Sequence, residues 1–348
     1  MSHSRANILP AQERAFLITI DTEGDNLWGR PRDIQTHNTA YLPRFQDLCE
    51  AFGFKPTWLV NYEMAMDPAF VRFARDVIRK NQGEVGMHLH AWNSPPSAPL
   101  TLDDHRFQPY LIEYSPEVID QKVGFMTSLL QDRMACSITS HRAGRWALNT
   151  TYAAALARHG YLVDCSVTPH VSWAKVKGHP NGHGGSDYRR FTTLPYMLDL
   201  SDISKPGQSN ILELPASIIR SQLHQLAPMA YEIPLLRRWG WQSRPAQLWL
   251  YPDGTNLRHM LTVVEEALRH NKPYIEFVLH SSELMPGGSP LFPDANSIEH
   301  LYRDLQVLFS VIASSFRGRT LSEFRQVWLE AQPFSSINQC ASSPGLQS

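Results

Sequence analysis

The stretch Ala15-Phe16-Leu17-Ile18-Thr19-Ile20-Asp21-Thr22-Glu23-Gly24-Asp25, AFLITIDTEGD, decides how this chain folds. Its first six residues are apolar or β-branched with no polar alternation, the pattern of a strand covered on both faces, as in a parallel sheet. Three acids then follow within five residues. A buried strand that delivers carboxylates at its carboxyl end is what an α/β active site requires, so the ends of the other strands become the question.

Working outward, the chain repeats one theme: a short apolar run, a polar loop, then an amphipathic stretch of helical length. Helices are predicted over Leu42 to Phe52, Ala69 to Lys80, Thr150 to His159 and Asn256 to His270. Strands are predicted over Thr57 to Val60, Glu84 to His88, Ser137 to His141, Tyr161 to Val167, Ile211 to Leu214 and Tyr274 to Leu279. Ser115-Pro116-Glu117 carries the N-cap and first-turn proline of a helix reaching about Leu130. Ser297 to Ala313 reads as another helix, and Thr320 with Glu323 forms a capping box before the last. Strands separated by helices imply parallel pairing, and this many βα units favours a barrel or partial barrel. Two long inserts, 93–114 and 170–196, interrupt it and are expected to shape a rim. One domain over 1–334 and a disordered tail over 335–348 complete the expected organisation.

Composition narrows the function. The 348 residues, 43% hydrophobic, suffice for a large core. With 32 basic and 33 acidic residues the net charge is −1, which offers no general field for nucleic acid. MSHSRANILP has no signal-peptide core, and no segment approaches the roughly 20 apolar residues of a membrane span, so a cytoplasmic protein is expected. Cys49, Cys136, Cys165 and Cys340 are scattered, as reduced thiols are, so any metal must be held by His and carboxylates.

The strand ends answer the opening question. The first delivers Asp21, Glu23 and Asp25; the third ends in His88-Leu89-His90; the next in His141-Arg142; the last in His280-Ser281-Ser282-Glu283. In a parallel barrel these sets meet in one mouth. Residues i and i+2 of an extended segment share a side, so His88 and His90 can reach one ion. Two imidazoles and a carboxylate leave open positions on zinc or a similar divalent ion, as hydrolytic sites do. Glu23 and Asp25 are rivals for the carboxylate. Trp28, Trp92 and Trp146 lie close by and offer ring faces to a bound ligand. In GHPNGHGGSD, His179 and His183 stand four apart, but Pro180, Gly182 and Gly184 argue against a helix, and a plain loop is expected. Asp103 to His105 and His224, His259, His270 and His300 read as solvated.

Taken in order, TIDTEGD, GMHLHAW, SHRAGRW and FVLHSSEL resemble the motifs of the polysaccharide deacetylases of the NodB-homology type, carbohydrate esterase family 4, over roughly residues 15 to 330. HLHAWNSPP and HSSELMPGGSP resemble a branch associated with bacterial surface polysaccharide and lipopolysaccharide loci. The resemblance implies a distorted parallel (β/α) barrel with Asp21 as general base, Glu23, His88 and His90 as metal ligands, Arg142 orienting the base, and His280 as general acid. It also implies a backbone N–H near Trp146 assisting the oxyanion. The family's second metal histidine falls at Trp92 here, leaving His90 as substitute. Its usual Asp-Trp pair is missing after the strand Tyr161 to Val167, leaving Glu213 as a partner for His280.

The expected activity is metal-dependent removal of an N-acetyl group from a nucleotide- or lipid-linked sugar precursor, with zinc the expected ion and cobalt, nickel or manganese as alternatives. Two other readings stand beside it: a non-catalytic glycan-binding member of the fold, and a hydrolase of another carbon–nitrogen amide such as a formamide or cyclic ureide.

Overall fold

The computed structural model describes residues 13–221 and 246–332. Its strands are β1 Ala15–Thr22, β2 Pro56–Val60, β3 Glu84–Leu89, β4 Ser140–Ala143, β5 Val163–Asp164 and β6 Tyr196–Met197. They continue with β7 Leu212–Glu213, β8 Ile218–Arg220, β9 Gln247–Trp249, β10 Tyr274–His280 and β11 Arg317–Gly318. The main sheet runs β10-β1-β2-β3-β4-β5-β7-β6, with β11 beside the start of β1. Every pairing in it is parallel except β6 with β7, and β8 and β9 form a separate antiparallel pair. The result is a curled half-barrel flanked by helices. Between β7 and β10 side-chain and single backbone bonds replace a ladder: Tyr274 Oη donates to Pro215 O at 2.6 Å, Glu276 N to Ser217 Oγ at 2.8 Å, and Val278 N to Leu250 O at 3.0 Å.

Side-chain alternation sorts each strand into two faces. Phe16, Ile18 and Ile20 of β1 point outward and join Trp58, Val60, Val85, Met87, Phe277 and Leu279 in the shell core beneath the helices. Ala15 and Leu17 point inward and pack with Leu59, Val163, Leu212, Leu214 and Tyr274. The helix Leu321–Glu330 plugs that end of the barrel with Leu321 and Phe324. Further along the same inward face come Thr19, then Asp21. The barrel interior is therefore apolar at one end and ionisable at the other.

Helix starts follow their chemistry. Ser115 Oγ accepts from Val118 N ahead of Pro116–Met134, Asp67 from Ala69 N ahead of Pro68–Arg79, and the Thr320–Glu323 capping box is present. The expected strand Ser137 to His141 instead starts at Ser140, because the ladder to β3 pairs Met87 with His141 and His88 with Arg142. The expected strand Tyr161 to Val167 shrinks to two residues: Asp164 accepts from Ser166 N at 3.0 Å, and this side-chain turn bends the chain out of the ladder.

The inserts are tied to each other. Tyr110 Oη donates to Val176 O at 3.0 Å, Glu113 accepts from His179 N, and Arg145 donates to Gln108 O and Lys177 O. His179 and His183 lie in a loop outside any helix, as expected, and His259, His270 and His300 are exposed. Cys49, Cys136 and Cys165 are free thiols. Among the described residues no helix is long and apolar enough to cross a membrane. The expected disordered tail, His224 and Cys340 lie outside the described residues.

Candidate metal centre and active site

Register brings the strand ends together. Asp21 on β1 stands opposite His280 on β10, and His88 on β3 opposite Arg142 on β4. Glu23, just past β1, is pinned through its backbone: its N–H donates to Ser281 Oγ, whose hydroxyl donates back to Glu23 O, both at 3.0 Å. His90 Nε2 lies 2.9 Å and His88 Nε2 3.6 Å from Glu23 Oε2. One ligand atom from each of Glu23, His88 and His90 lies within 4.8 Å of the others, and all three residues are buried. His88 Nδ1 donates to Arg142 O at 3.0 Å, which directs the lone pair to Nε2, on the side of Glu23. Gly144 closes against His90: a Cβ there would stand 2.5 Å from Leu89 O and 2.7 Å from His90 Nδ1. Two imidazoles and a carboxylate fit a divalent ion of the zinc type.

Asp25 is engaged elsewhere. Its oxygens accept from His37 N, Asn38 N and Asn38 Nδ2 at 2.7–3.0 Å, anchoring the loop after Glu23.

Arg142, fully buried, donates from Nη1 to Asp21 Oδ1 at 2.6 Å, and from Nη2 to Thr19 Oγ1 and Glu276 Oε1. Burial pushes the Asp21 carboxyl up, but the Arg142 guanidinium, with His88 and His280, outweighs it and holds Asp21 below its ordinary value. Burial likewise opposes ionisation of Glu23, and the imidazoles of His88 and His90 hold it well below the carboxylate range. His90 is pulled down by burial, whereas at His88 the charges of Asp21 and Glu23 overcome burial and raise it.

His280 Nε2 stands 3.8 Å from Asp21 Oδ2 and 3.9 Å from Glu23 Oε1. Its carboxylate partner differs from the one expected. Glu213 faces away from the mouth, accepts from Val167 N at 3.0 Å and neighbours Asp164 on the adjacent strand. Glu283, three residues after His280, accepts from His280 N at 2.8 Å and lies 3.3 Å from Nδ1. Tyr251 Oη donates to the other Glu283 oxygen. Burial would lower His280, but Glu283, Glu23 and Asp21 together raise it to about 9. The His-x-x-Glu spacing after a strand is itself a turn-capping signal, by which Glu283 was legible in the sequence.

His141 does not join the mouth. Alternation turns it outward, where Nδ1 meets Asp164 Oδ1 at 2.5 Å and Nε2 meets Tyr152 Oη at 2.6 Å.

Aromatic rings frame the opening. Trp28, 42% exposed, stands edge-on to His280 with centroids 4.9 Å apart. Trp146 faces the Arg142 guanidinium at 4.8 Å, and Trp92 stands between His90 and His105. Arg145 and Trp146 both hold left-handed φ of 56° and 62°, at a cost of about 1 kcal/mol or more each, concentrating strain at the rim. Trp249, 6.0 Å from Trp146, and Tyr251 belong to the frame as well and come from the segment around β9. Sequence reading passed over them because three ladder residues carry almost no periodic signal. A cavity of about 500 Å³ lies on the barrel flank, between Pro215–Arg220 and the helix Leu257–Arg269, and shares no residue with this mouth.

No protein-family model and no curated protein matches the chain. Solved structures do. A protein from Mycobacterium smegmatis assigned as a polysaccharide deacetylase superimposes with a TM-score of 0.54 over 97% of this chain and 98% of its own, at 12% identity. A protein from Parabacteroides distasonis assigned as a glycoside hydrolase/deacetylase gives 0.56 over 92% of this chain and 73% of its own, also at 12% identity. The chain therefore has the (β/α) half-barrel fold of the NodB-type polysaccharide deacetylases.

Proposed function

We propose that the protein is a metal-dependent N-deacetylase acting on an N-acetylated sugar of a bacterial surface polysaccharide or lipopolysaccharide precursor in the cytoplasm. The observation that carries this reading is the buried Glu23, His88 and His90 cluster with Asp21–Arg142 on one side and His280 on the other. Glu23, His88 and His90 would hold the ion, zinc being favoured by the donor set. When bound, the ion supplies Lewis acidity toward the amide carbonyl.

The remaining steps belong to side chains. Arg142 occupies Asp21 Oδ1, leaving Oδ2 to take the proton of the attacking water. The water oxygen bonds to the acetyl carbon, the carbon–nitrogen bond breaks, and the nitrogen leaves as an amine once it gains a proton. His280 Nε2 donates that proton, and Glu283 at Nδ1 holds the ring in the orientation and charge state that allow it. At 3.8 Å, Asp21 Oδ2 and His280 Nε2 are too far apart to hydrogen-bond directly, so base and acid stay distinct. Trp28 and Trp146 offer ring faces to the sugar.

Two departures from the family pattern favour a non-catalytic reading, and against it stand His90, with Nε2 2.9 Å from Glu23, and Glu283, 3.3 Å from His280 Nδ1. The test is metal stoichiometry after dialysis against zinc, cobalt or manganese, beside His88→Ala, followed by acetate release from an N-acetylhexosamine panel. About one ion per chain, lost in the variant, with acetate released, is the expected result. No ion retained at neutral pH sinks the assignment, and an ion retained with formate but no acetate released redirects it to formamides.

A further inference from the structure

We infer that the rim of the mouth carries a phosphate subsite built from Arg30, Arg106, Arg145 and Lys177, so that the N-acetylated sugar is recognised as a phosphate ester; this rests on the deacetylase reading above. The four cations come from four separate segments, the loop after β1, each of the two inserts, and the turn after β4. Arg30 Nη1 donates to Arg106 O at 2.6 Å. Arg145 donates to Gln108 O and Lys177 O, and Lys177 Nζ to Gly182 O. Arg30 and Arg145 feel each other's charge, and these contacts hold the chain at Arg106 and Lys177 against them. The side chains of Arg30 and Lys177 donate to backbone carbonyls, Arg145 donates to two carbonyls and interacts with Tyr110, and none of the four cations is in an ion pair among the described residues.

The acids nearby are already committed. Asp103 pairs with Arg32 at 2.6 Å and caps Arg106 N. Asp104 accepts from Leu100 N and Thr101 N. Glu113, the carboxylate that offsets part of the Arg145 charge, accepts from Tyr110 N and His179 N. Arg145 is stacked at 4.0 Å on Tyr110, and its guanidinium is disfavoured first by burial and then by the charge of Arg30. Like charges drawn together at a rim, in a chain whose net charge is −1, raise the local potential for an anion.

Position ties this patch to the chemistry. Arg30 lies two residues past Trp28, whose ring touches His280, and Arg145 directly precedes Trp146, whose ring faces Arg142. A sugar seated on those rings places a substituent at the patch. Guanidinium forks match phosphate oxygens, and several cations suit a group that carries more than one negative charge, which favours phosphate or diphosphate over a single carboxylate.

The experiment is calorimetric binding to the full chain, metal-free and zinc-loaded, at low and high salt. The probes are N-acetylglucosamine 1-phosphate, UDP-N-acetylglucosamine, a short-chain prenyl-diphosphate-linked N-acetylglucosamine, a neutral N-acetylglucosamine disaccharide, and a carboxylated N-acetylated disaccharide. The phosphorylated probes are expected to bind at least about tenfold tighter than the neutral one, with an advantage that fades with salt. Arg30→Gln with Arg106→Gln, at two exposed positions, should erase most of that advantage; Arg145→Lys provides a third, independent variant. The UDP and prenyl arms separate a nucleotide from a lipid source of the phosphate. Equal affinity for neutral and phosphorylated probes, preference for the carboxylated one, or a double variant that binds as the parent does would each overturn the subsite. Phosphate-selective binding with no acetate released would sink the deacetylase reading and leave the subsite standing; acetate released from neutral and phosphorylated sugars at one KM would do the reverse.

Discussion

His141 and His280 each sit on a barrel strand with a carboxylate at Nδ1, and the difference between them lies at the other nitrogen. On the outer face, His141 Nε2 is taken by Tyr152 Oη, its partner Asp164 is fully buried, and burial pulls the imidazole below its ordinary value. At the mouth, His280 Nε2 faces Asp21 and Glu23 across nearly 4 Å, its side chain is 21% exposed, and three carboxylates raise it to about 9. A histidine with both nitrogens satisfied by packed neighbours fastens a wall. One with a proton on a nitrogen that faces open space and reacting groups can deliver it.

The contrast can be broken in order of expected effect. His280→Ala should lower kcat by about 10²–10⁴-fold while metal content and melting temperature stay close to the parent's; a comparable loss of stability would make His280 a wall residue like His141. Asp164→Ala should act in the opposite sense, costing about 3–5 kcal/mol in denaturant unfolding, because the buried His141 and Ser166 lose their acceptor. Gly144→Ala falls between the two, since its Cβ has no room beside His90 Nδ1; about tenfold weaker metal affinity with a modest stability loss is expected, and unchanged affinity would remove His90 from the ligand set.

The smallest effect is in the pH dependence, read on metal-stripped protein. His280, raised in the fold, contributes stability that is fully present below its unfolded value of about 6.5 and is lost as pH rises through about 9; after allowance for exposure this is about 2 kcal/mol. The outer pair runs the other way. Asp164 is held below its ordinary value: burial pushes it up, but the His141 hydrogen bond and charge, with the Glu213 and Ser166 hydrogen bonds, together outweigh burial, so its contribution is present above about pH 4 and is lost as pH falls through its folded value. Melting curves should therefore weaken at alkaline pH more in the parent than in His280→Gln, where the raised His88 leaves a smaller limb, and at acid pH in both. An alkaline limb as large in His280→Gln as in the parent would assign it to another group.

Much of this was legible in one dimension. Six apolar or β-branched residues leading to Asp21 mark a doubly covered strand because burial on both faces removes any need for alternation. His88 and His90 share a side because the strand period is two. Glu283 lay within the same reach, three residues past His280, and was passed over for a distant carboxylate. Asp25 and Glu23 could not be separated locally, because both sit in the same loop, and what separates them is that Asn38 and His37 fold back onto one and not the other.

By itself, then, the sequence determined the order of strands and helices, the polar ends of the strands, and which residue types reach the mouth, since strand period, capping and patterning act over a few residues. Only the tertiary structure decided which carboxylate serves which imidazole, that His141 faces outward while Arg142 beside it faces in, that side-chain and single backbone bonds join Pro215, Ser217 and Leu250 to β10, and that cations from four segments lie at one rim. Those outcomes depend on register and curl across strands far apart in the chain. No local periodicity encodes which of several equally buried or equally charged groups the sheet will bring within hydrogen-bonding distance.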